Sequence, residues 1–431
     1  MKPKPTSPPA PQATPRLRAP DSAPAFLREG YTFISSRCDR LGADLFRTRI
    51  AGRPVVCMRG ADAARVFYEG DRFTRRGALP PTVVHLLQDR GSVQTLDGAG
   101  HRRRKAMFLD IMNEASVAEL VRLFEKYWRQ RSAGWQGRTV VLHREVRIIL
   151  TAAACEWAVG LPLQEAEVEA RAAEFGLMVD QAGSFGPANW WAQLRRRRTE
   201  RWARKVIIRI RSGAAGVPSG APAAVIAGHR EANGELLPED VAAVELLNVI
   251  RPVVAVDRFI AFAGTALVEH PEWRARFAAA DAAASTDLGP FAQEVGRYYP
   301  FFPAVGGVVR KEFTWNNHTF TPGNWVLLDI YGTNHDAALW PDPEAFQPER
   351  FRTWNGDPNT LIPQGGGQAA NGHRCPGEGI TLELVKSAVL LLARSSWKVP
   401  AQDLTISLSK LPSIPRSGLL LTPAGPTDVR P

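Results

Sequence analysis

The stretch Gly365-Gly366-Gly367-Gln368-Ala369-Ala370-Asn371-Gly372-His373-Arg374-Cys375-Pro376-Gly377-Glu378 decides how this chain is read. One cysteine closes a glycine-rich loop and opens an apolar run in which Ile380, Leu384, Ala388 and Leu391 fall on one helical face. Pro376 suits the first helical position, where a missing N–H costs nothing and φ is already set. Cys375 is then the cap residue, its sulfur beside the unpaired N–H groups and positive dipole end of the helix. Both favour thiolate, the metal-ligating form of cysteine. The N–H groups of Gly377 and Glu378 are placed to hydrogen-bond the sulfur and tune its electron donation. Gly365, Gly366, Gly367 and Gly372 let the backbone approach a flat ligand closely. The alternative is a buried structural cysteine beside a helix start, so the rest of the chain must decide.

Working outward, 431 residues with 45% hydrophobic content allow a large core. No stretch reaches about 18 uncharged apolar residues, so no membrane span is expected. The N-terminus lacks the apolar core of a signal peptide. Cys38, Cys57, Cys155 and Cys375 are scattered without a CxxC pair or disulfide-framework spacing, which points to a reducing cytoplasm. A net charge of +11 favours anionic partners. Without a helix-turn-helix or zinc-finger signature, nucleic acid is not the expected one; fatty-acid anions and acidic proteins fit.

Residues 1–24, rich in Pro, Ala and Ser, read as a disordered tail. Residues 25–431 read as a single domain. Phe46 to Met58 is expected to be a two-stranded element turning at Gly52, and Ala61 to Tyr68 a short helix. Gly98 to Leu288 reads as mostly helical, with breaks at Gly160-Leu161-Pro162, Gly186-Pro187 and Gly213 to Pro222. Val241 to Glu269 reads as one long apolar helix stopped by Pro271. Phe291 to Arg297 reads as another. Phe313 to Ile330 suits a hairpin around Pro322-Gly323.

Two further motifs settle the cysteine. Glu294-Val295-Gly296-Arg297 places a carboxylate and a guanidinium one turn apart on one helical face. Pro348-Glu349-Arg350-Phe351 supplies a second cation, and a carboxylate between two guanidiniums would brace the cysteine loop. Together with Gly-His-Arg-Cys-Pro-Gly-Glu, in this order and spacing, these resemble the Glu-x-x-Arg helix, meander and haem loop of the cytochrome P-450 superfamily. The resemblance implies a mainly α fold with small β-sheets, a triangular helical domain enclosing haem b with Cys375 as thiolate ligand. It gives Gly366 and Gly377 places against the cofactor. It also gives His101 and Lys105 of His101-Arg102-Arg103-Arg104-Lys105 the task of holding a haem propionate, shared with Arg104. A lysine stands at Lys105 where the family pattern has arginine.

In Glu245-Leu246-Leu247-Asn248-Val249-Ile250-Arg251-Pro252-Val253-Val254-Ala255 a charge interrupts an apolar helix. A buried guanidinium needs an anion. Pro252 removes the hydrogen bond to Asn248 and should bend the helix there. A bend with a buried arginine suits a carboxylate pocket, and the fork of arginine matches a carboxylate better than lysine does. The alternative is internal pairing with Glu245 or Asp257. Arg251-Pro252 resembles the fatty-acid peroxygenase branch of the same superfamily. Likeness extends through Asp71-Arg72-Phe73, Ala78-Leu79-Pro80, Asp329 to His335 and Pro363 to Gly367. Ala263-Gly264-Thr265 lacks the acid of the monooxygenase acid-alcohol pair and reads as helix packing.

The resemblance implies hydroxylation of long-chain fatty acids at the α or β carbon by hydrogen peroxide, with side decarboxylation to a terminal alkene and no obligatory redox partner. The substrate carboxylate on Arg251 would serve as general acid-base, with Pro252 and Gln94 beside it. Gln94 tilts the expectation toward hydroxylation. Asn248, Ala255, Phe301, Phe302, Val305 and Phe185 are the expected pocket or tunnel residues. Trp190-Trp191 with Arg195 to Arg198 suits weak membrane-surface contact or a solvated helix face. Two other classes remain open: a reductase-dependent cytochrome P-450 monooxygenase, and a non-catalytic haem or lipid-binding sensor.

Overall fold

The computed structural model describes residues 14–89, 91–279 and 282–424. Strands β1 (Leu45–Ile50) and β2 (Arg53–Met58) form the expected hairpin. Ala51 and Gly52 both take positive φ, the tight turn that matches strand twist. Asp21 accepts from both turn N–H groups. Part of the expected tail is therefore ordered. Residues 14–24 pack on β1, where Leu17 N–H donates to the Arg47 carbonyl and Arg47 N–H to that of Pro15. Residues 1–13 lie outside the described residues.

Helix α1 (Ala61–Tyr68) follows, then β3 (Phe73–Thr74), α2 (Pro81–Leu87), α3 (Gly98–Ile111) and α4 (Glu114–Ser132). Beyond β4 (Val140–Val141) come α5 (Leu142–Val159), α6 (Glu165–Asp180) and α7 (Pro187–Arg211). The centre of the molecule is α8 (Glu239–Val254) and α9 (Asp257–Glu269), followed by α10 (Ala282–Tyr298). Strands β5 (Ala304–Val309), β6 (Phe313–Trp315), β7 (His318–Phe320) and β8 (Trp325–Asp329) precede α11 (Glu378–Ala393). Beyond it, β9 (Trp397–Lys398) and β10 (Leu420–Pro423) pair with each other, and β10 also pairs with β4.

The larger sheet has the order β1-β2-β8-β5-β3, with β2 and β8 parallel. The main hydrophobic cluster runs from Leu86 to Leu421 and is centred on the buried faces of α5, α8, α9 and α11.

Three boundaries differ from expectation. The apolar run from Val241 to Glu269 is two helices. Pro252 lacks an N–H, and Val256 and Arg258 then reach back three residues instead of four. The hairpin after Phe313 turns at Asn316-Asn317, both with positive φ, and Pro322-Gly323 leads into β8, which pairs with β2 and β5. The last long helix begins at Glu378 with Gly377 as its cap, so Cys375 lies two residues before the cap.

Candidate active site

The cysteine loop is held from three sides. Cys375 N–H donates to the Gln364 carbonyl at 3.1 Å, and Arg374 makes a bidentate pair with Glu378 at 2.6 and 2.8 Å. A Cβ at Gly366 would meet Ile362 and the Tyr68 ring at 3.0 Å, so only glycine lets the loop lie this close. Burial pushes the Cys375 thiol up, while the Gly377 N–H and the Lys105 charge oppose it. With α11 starting later than expected, it is the cap N–H that reaches the sulfur.

Behind the loop, Glu294 and Arg297 are fully buried and pair through two contacts of 2.7 Å. Arg297 also donates to the carbonyls of Asn334, Pro343 and Ala345. Arg350 approaches Glu294 at 3.4 Å, and Gln347 N–H donates to the same carboxylate at 2.7 Å. The three residues meet as their spacing suggested.

In front of the loop is a cleft of about 230 Å³ lined by Tyr68, Arg75, His101 and His373. The His101 and His373 rings lie 4.1 Å apart. Burial pulls His101 down to about 4 and Lys105 down to about 8. Lys105 donates to the carbonyls of Gly372 and Arg374, and Arg75 to that of Gly306 at 2.7 Å. Among the described residues neither cation has an ion-pair partner. Lys105 is buried and meets only carbonyls, and Arg75 is half-buried between the Gly306 carbonyl and the Tyr68 hydroxyl; cations placed in this way call for anions. Cys375 follows His373 by two residues on the same loop and feels the Lys105 charge, and this set fits a haem with its two carboxylates.

Arg104 does not join them. It turns to Glu231 and to Glu245, the latter at 3.1 Å, because the buried Glu245 carboxylate needs a cation. Arg75 was missed by sequence reading. Its signal was only an Arg-Arg pair after β3, and tertiary packing over Phe67 and Tyr68 half-buries it.

Arg251 projects from α8 and is 6% exposed. Its Nη2 donates to the Leu87 carbonyl and to Asn248 Oδ1, and its Nε has no partner. It pairs with neither candidate carboxylate. Glu245 is taken by Arg104, Asn248 and the Val93 N–H. Asp257, buried yet held far below the usual carboxylate range, is taken by Arg147, His143 and Arg258. Burial and the nearby Arg196 charge lower Arg251 to about 9.

Gln94 Oε1 accepts from Asn248 Nδ2 at 3.3 Å, so Gln94 and Arg251 converge on Asn248. Ala255 is buried just beyond Pro252, and the Phe301 ring lies 4.4 Å from that of Phe259. Val305 packs beside the sheet cluster. Phe302 and Phe185 are instead surface residues, 40% and 63% exposed. Gly264 packs under Leu142 and Leu419, as its reading as helix packing requires.

A thiol loop, a buried cluster of Glu294, Arg297 and Arg350, and cations for two carboxylates together fit a haem-thiolate protein. The Cytochrome P450 family profile matches residues 290–425. Cytochrome P450SP alpha (CYP152B1) in complex with (R)-ibuprophen superposes with a TM-score of 0.90 at 43% identity, covering 94% of this chain and 98% of that one. Cytochrome P450EX alpha (CYP152N1) with myristic acid gives 0.91 at 36% identity over 95% and 98%. A variant of cytochrome P450 OleT in complex with arachidonic acid gives 0.91 at 32% identity over the same shares. The chain belongs to the cytochrome P450 family, and within it to the CYP152 fatty-acid peroxygenases.

Proposed function

We infer that this enzyme hydroxylates long-chain fatty acids at the α or β carbon with hydrogen peroxide, and that Arg251 holds the substrate carboxylate. The observation that carries this reading is the buried Arg251 guanidinium, which has no carboxylate partner among the described residues. Haem b, when bound, supplies peroxide activation and transfer of one oxygen atom. Cys375 is the residue that would ligate its iron, with Arg75, His101 and Lys105 toward its propionates and Gly366 and Gly377 against it.

The chain's own groups then do the following. Arg251, steadied by the Leu87 carbonyl and Asn248, offers a fork to the carboxylate. The carboxylate, fixed over the reaction centre, moves a proton between the two peroxide oxygens as general acid-base. One oxygen enters the substrate and the other leaves as water. Pro252 removes one helical N–H donor beside Arg251, leaving the Asn248 carbonyl without its helical partner. Gln94 reaches the same place through Asn248. Decarboxylation to a terminal alkene is a side outcome of the same geometry. No reductase is required in this scheme. Among the described residues no helix is long and apolar enough to cross a membrane. The four cysteines are free thiols, which fits the cytoplasm.

The test uses purified holoenzyme, myristic acid and hydrogen peroxide without reductase, with products identified by mass spectrometry. Hydroxy acid is expected. Product only with a reductase and NAD(P)H would make the protein a conventional monooxygenase. No product under either condition would make it a haem or lipid-binding sensor. Cys375→Ala is expected to lose the red-shifted reduced-CO Soret band of a thiolate haem.

A further inference from the structure

Of the nine large hydrophobic side chains exposed among the described residues, four lie between positions 185 and 194. Phe185 is 63% exposed, Trp190 66%, Trp191 53% and Leu194 54%. Scattered exposed apolar residues are ordinary, but a cluster of this kind marks a contact surface. Helix α7 has 25 residues and extends about 37 Å. At 100° per residue, Trp190, Trp191, Leu194, Arg197, Arg201, Lys205 and Arg209 share one outer stripe.

The stripe is segregated along the axis, aromatic at the N-terminal end and basic beyond. Arg198 and Arg204, beside it, are taken by Glu174 and Glu239. Arg197, Arg201, Lys205 and Arg209 have no carboxylate partner among the described residues. The opposite face of α7 buries Ala192, Arg196, Thr199, Ala203 and Ile207, and it packs along α8, which carries Arg251. The outer stripe therefore lies on the roof of the Arg251 region.

We propose that this stripe docks the enzyme on an anionic lipid bilayer, with Trp190, Trp191 and Leu194 at the headgroup–acyl boundary and the four free cations on lipid phosphates. Indole rings prefer that boundary, and each cation near an anionic surface adds attraction. Unpaired cations without an acid among them complement such a surface. A second copy of this chain would bring the same cations against each other. Docking does not depend on the peroxygenase reading. Its use, drawing fatty acid out of the bilayer under the roof helix, rests on that reading.

The test is co-sedimentation of holoenzyme with vesicles of phosphatidylcholine alone and of phosphatidylcholine mixed with phosphatidylglycerol. Retention is expected on the mixed vesicles and should fall as salt rises to about 0.5 M. Trp190→Ser/Trp191→Ser should lower retention about tenfold, and Arg197→Gln/Arg201→Gln, which removes two of the four cations, should lower its salt dependence by about half. Both variants should keep the wild-type Soret band and oxidise octanoate, supplied in solution, at the wild-type rate. Absence of retention on mixed vesicles, or equal retention by the tryptophan variant, overturns the proposal. So does lipid-free self-association that the tryptophan variant abolishes, which would make the stripe a contact between copies. Failure of the wild-type protein to oxidise octanoate or myristate with peroxide would sink the peroxygenase reading and leave docking standing.

Discussion

Arg297 and Arg251 both project from long helices into the interior, and their surroundings differ in one respect. Arg297 uses all five of its N–H donors, two on Glu294 and three on the carbonyls of Asn334, Pro343 and Ala345. Arg251 finds a carbonyl and an amide oxygen, leaves Nε without a partner, and meets no carboxylate among the described residues. The fold provides an anion for the first and withholds one from the second. A saturated buried cation is part of the frame. A buried cation with no carboxylate beside it is what the proposed carboxylate site needs, since burying charge that is left short costs stability.

The sharpest way to break the comparison is to remove both side chains in turn. Arg251→Ala should lower fatty-acid oxidation by about three orders of magnitude, the scale of effect expected when a reacting group is no longer positioned. Its thermal midpoint should stay the same or rise, because an undercompensated buried charge is gone. Product formation and a melting curve on the same preparation check both. Turnover near the wild-type rate would remove the carboxylate anchor.

Arg297→Ala should do the reverse. It leaves Glu294 buried with only the Arg350 contact at 3.4 Å and the Gln347 N–H. Breaking a buried pair costs about 3–5 kcal/mol. Urea unfolding should show that loss, and haem content read from the Soret band should fall with it.

The frame also has a pH signature. Burial and the Arg297 charge hold His335 down at about 4, against 6.5 for a free histidine. The folded state keeps this ring neutral, while the unfolded chain takes up a proton below 6.5. Its contribution is therefore intact above pH 6.5 and is lost as pH falls toward 4, by up to about 3 kcal/mol. His335→Gln should flatten the stability profile in that window while leaving it unchanged at pH 8. An unchanged acid slope would show that other groups set it.

How much of this was legible depended on whether the deciding contacts were local. The β1–β2 hairpin and α1 could be read because turn residues and alternation lie within a few positions of one another. Glu294 and Arg297 could be read for the same reason, one turn apart. Arg75 could not, because its placement arises from packing against Phe67 and Tyr68 and from a carbonyl more than 200 residues away. Arg104 was misplaced because nothing nearby reveals the demand of Glu245 on another helix. Strand β8 resembles half of a local hairpin in sequence, whereas its partners β2 and β5 are nonlocal. The break at Ala255-Val256 was half visible. Pro252 announced the distortion, but the shift to three-residue bonding comes only at Val256, four residues on.

The finest test keeps the charge of Arg251 and changes its shape. In Arg251→Lys a compact ammonium replaces the planar fork. A lysine can satisfy the Leu87 carbonyl or a carboxylate, but it cannot present two parallel donors to the carboxylate while keeping the Leu87 and Asn248 contacts. If charge alone mattered, this variant would bind and oxidise myristate like the wild type. If the fork sets the place of the carboxylate, turnover should fall about tenfold, well short of the loss in Arg251→Ala. Fatty-acid affinity, followed by the spin-state change of the haem, should weaken less than turnover does. Equal losses in the two would mean that Arg251 only attracts the substrate. A larger loss in turnover would mean that it also aims the carboxylate at the peroxide, the one task for which the saturated Arg297 has no donor to spare.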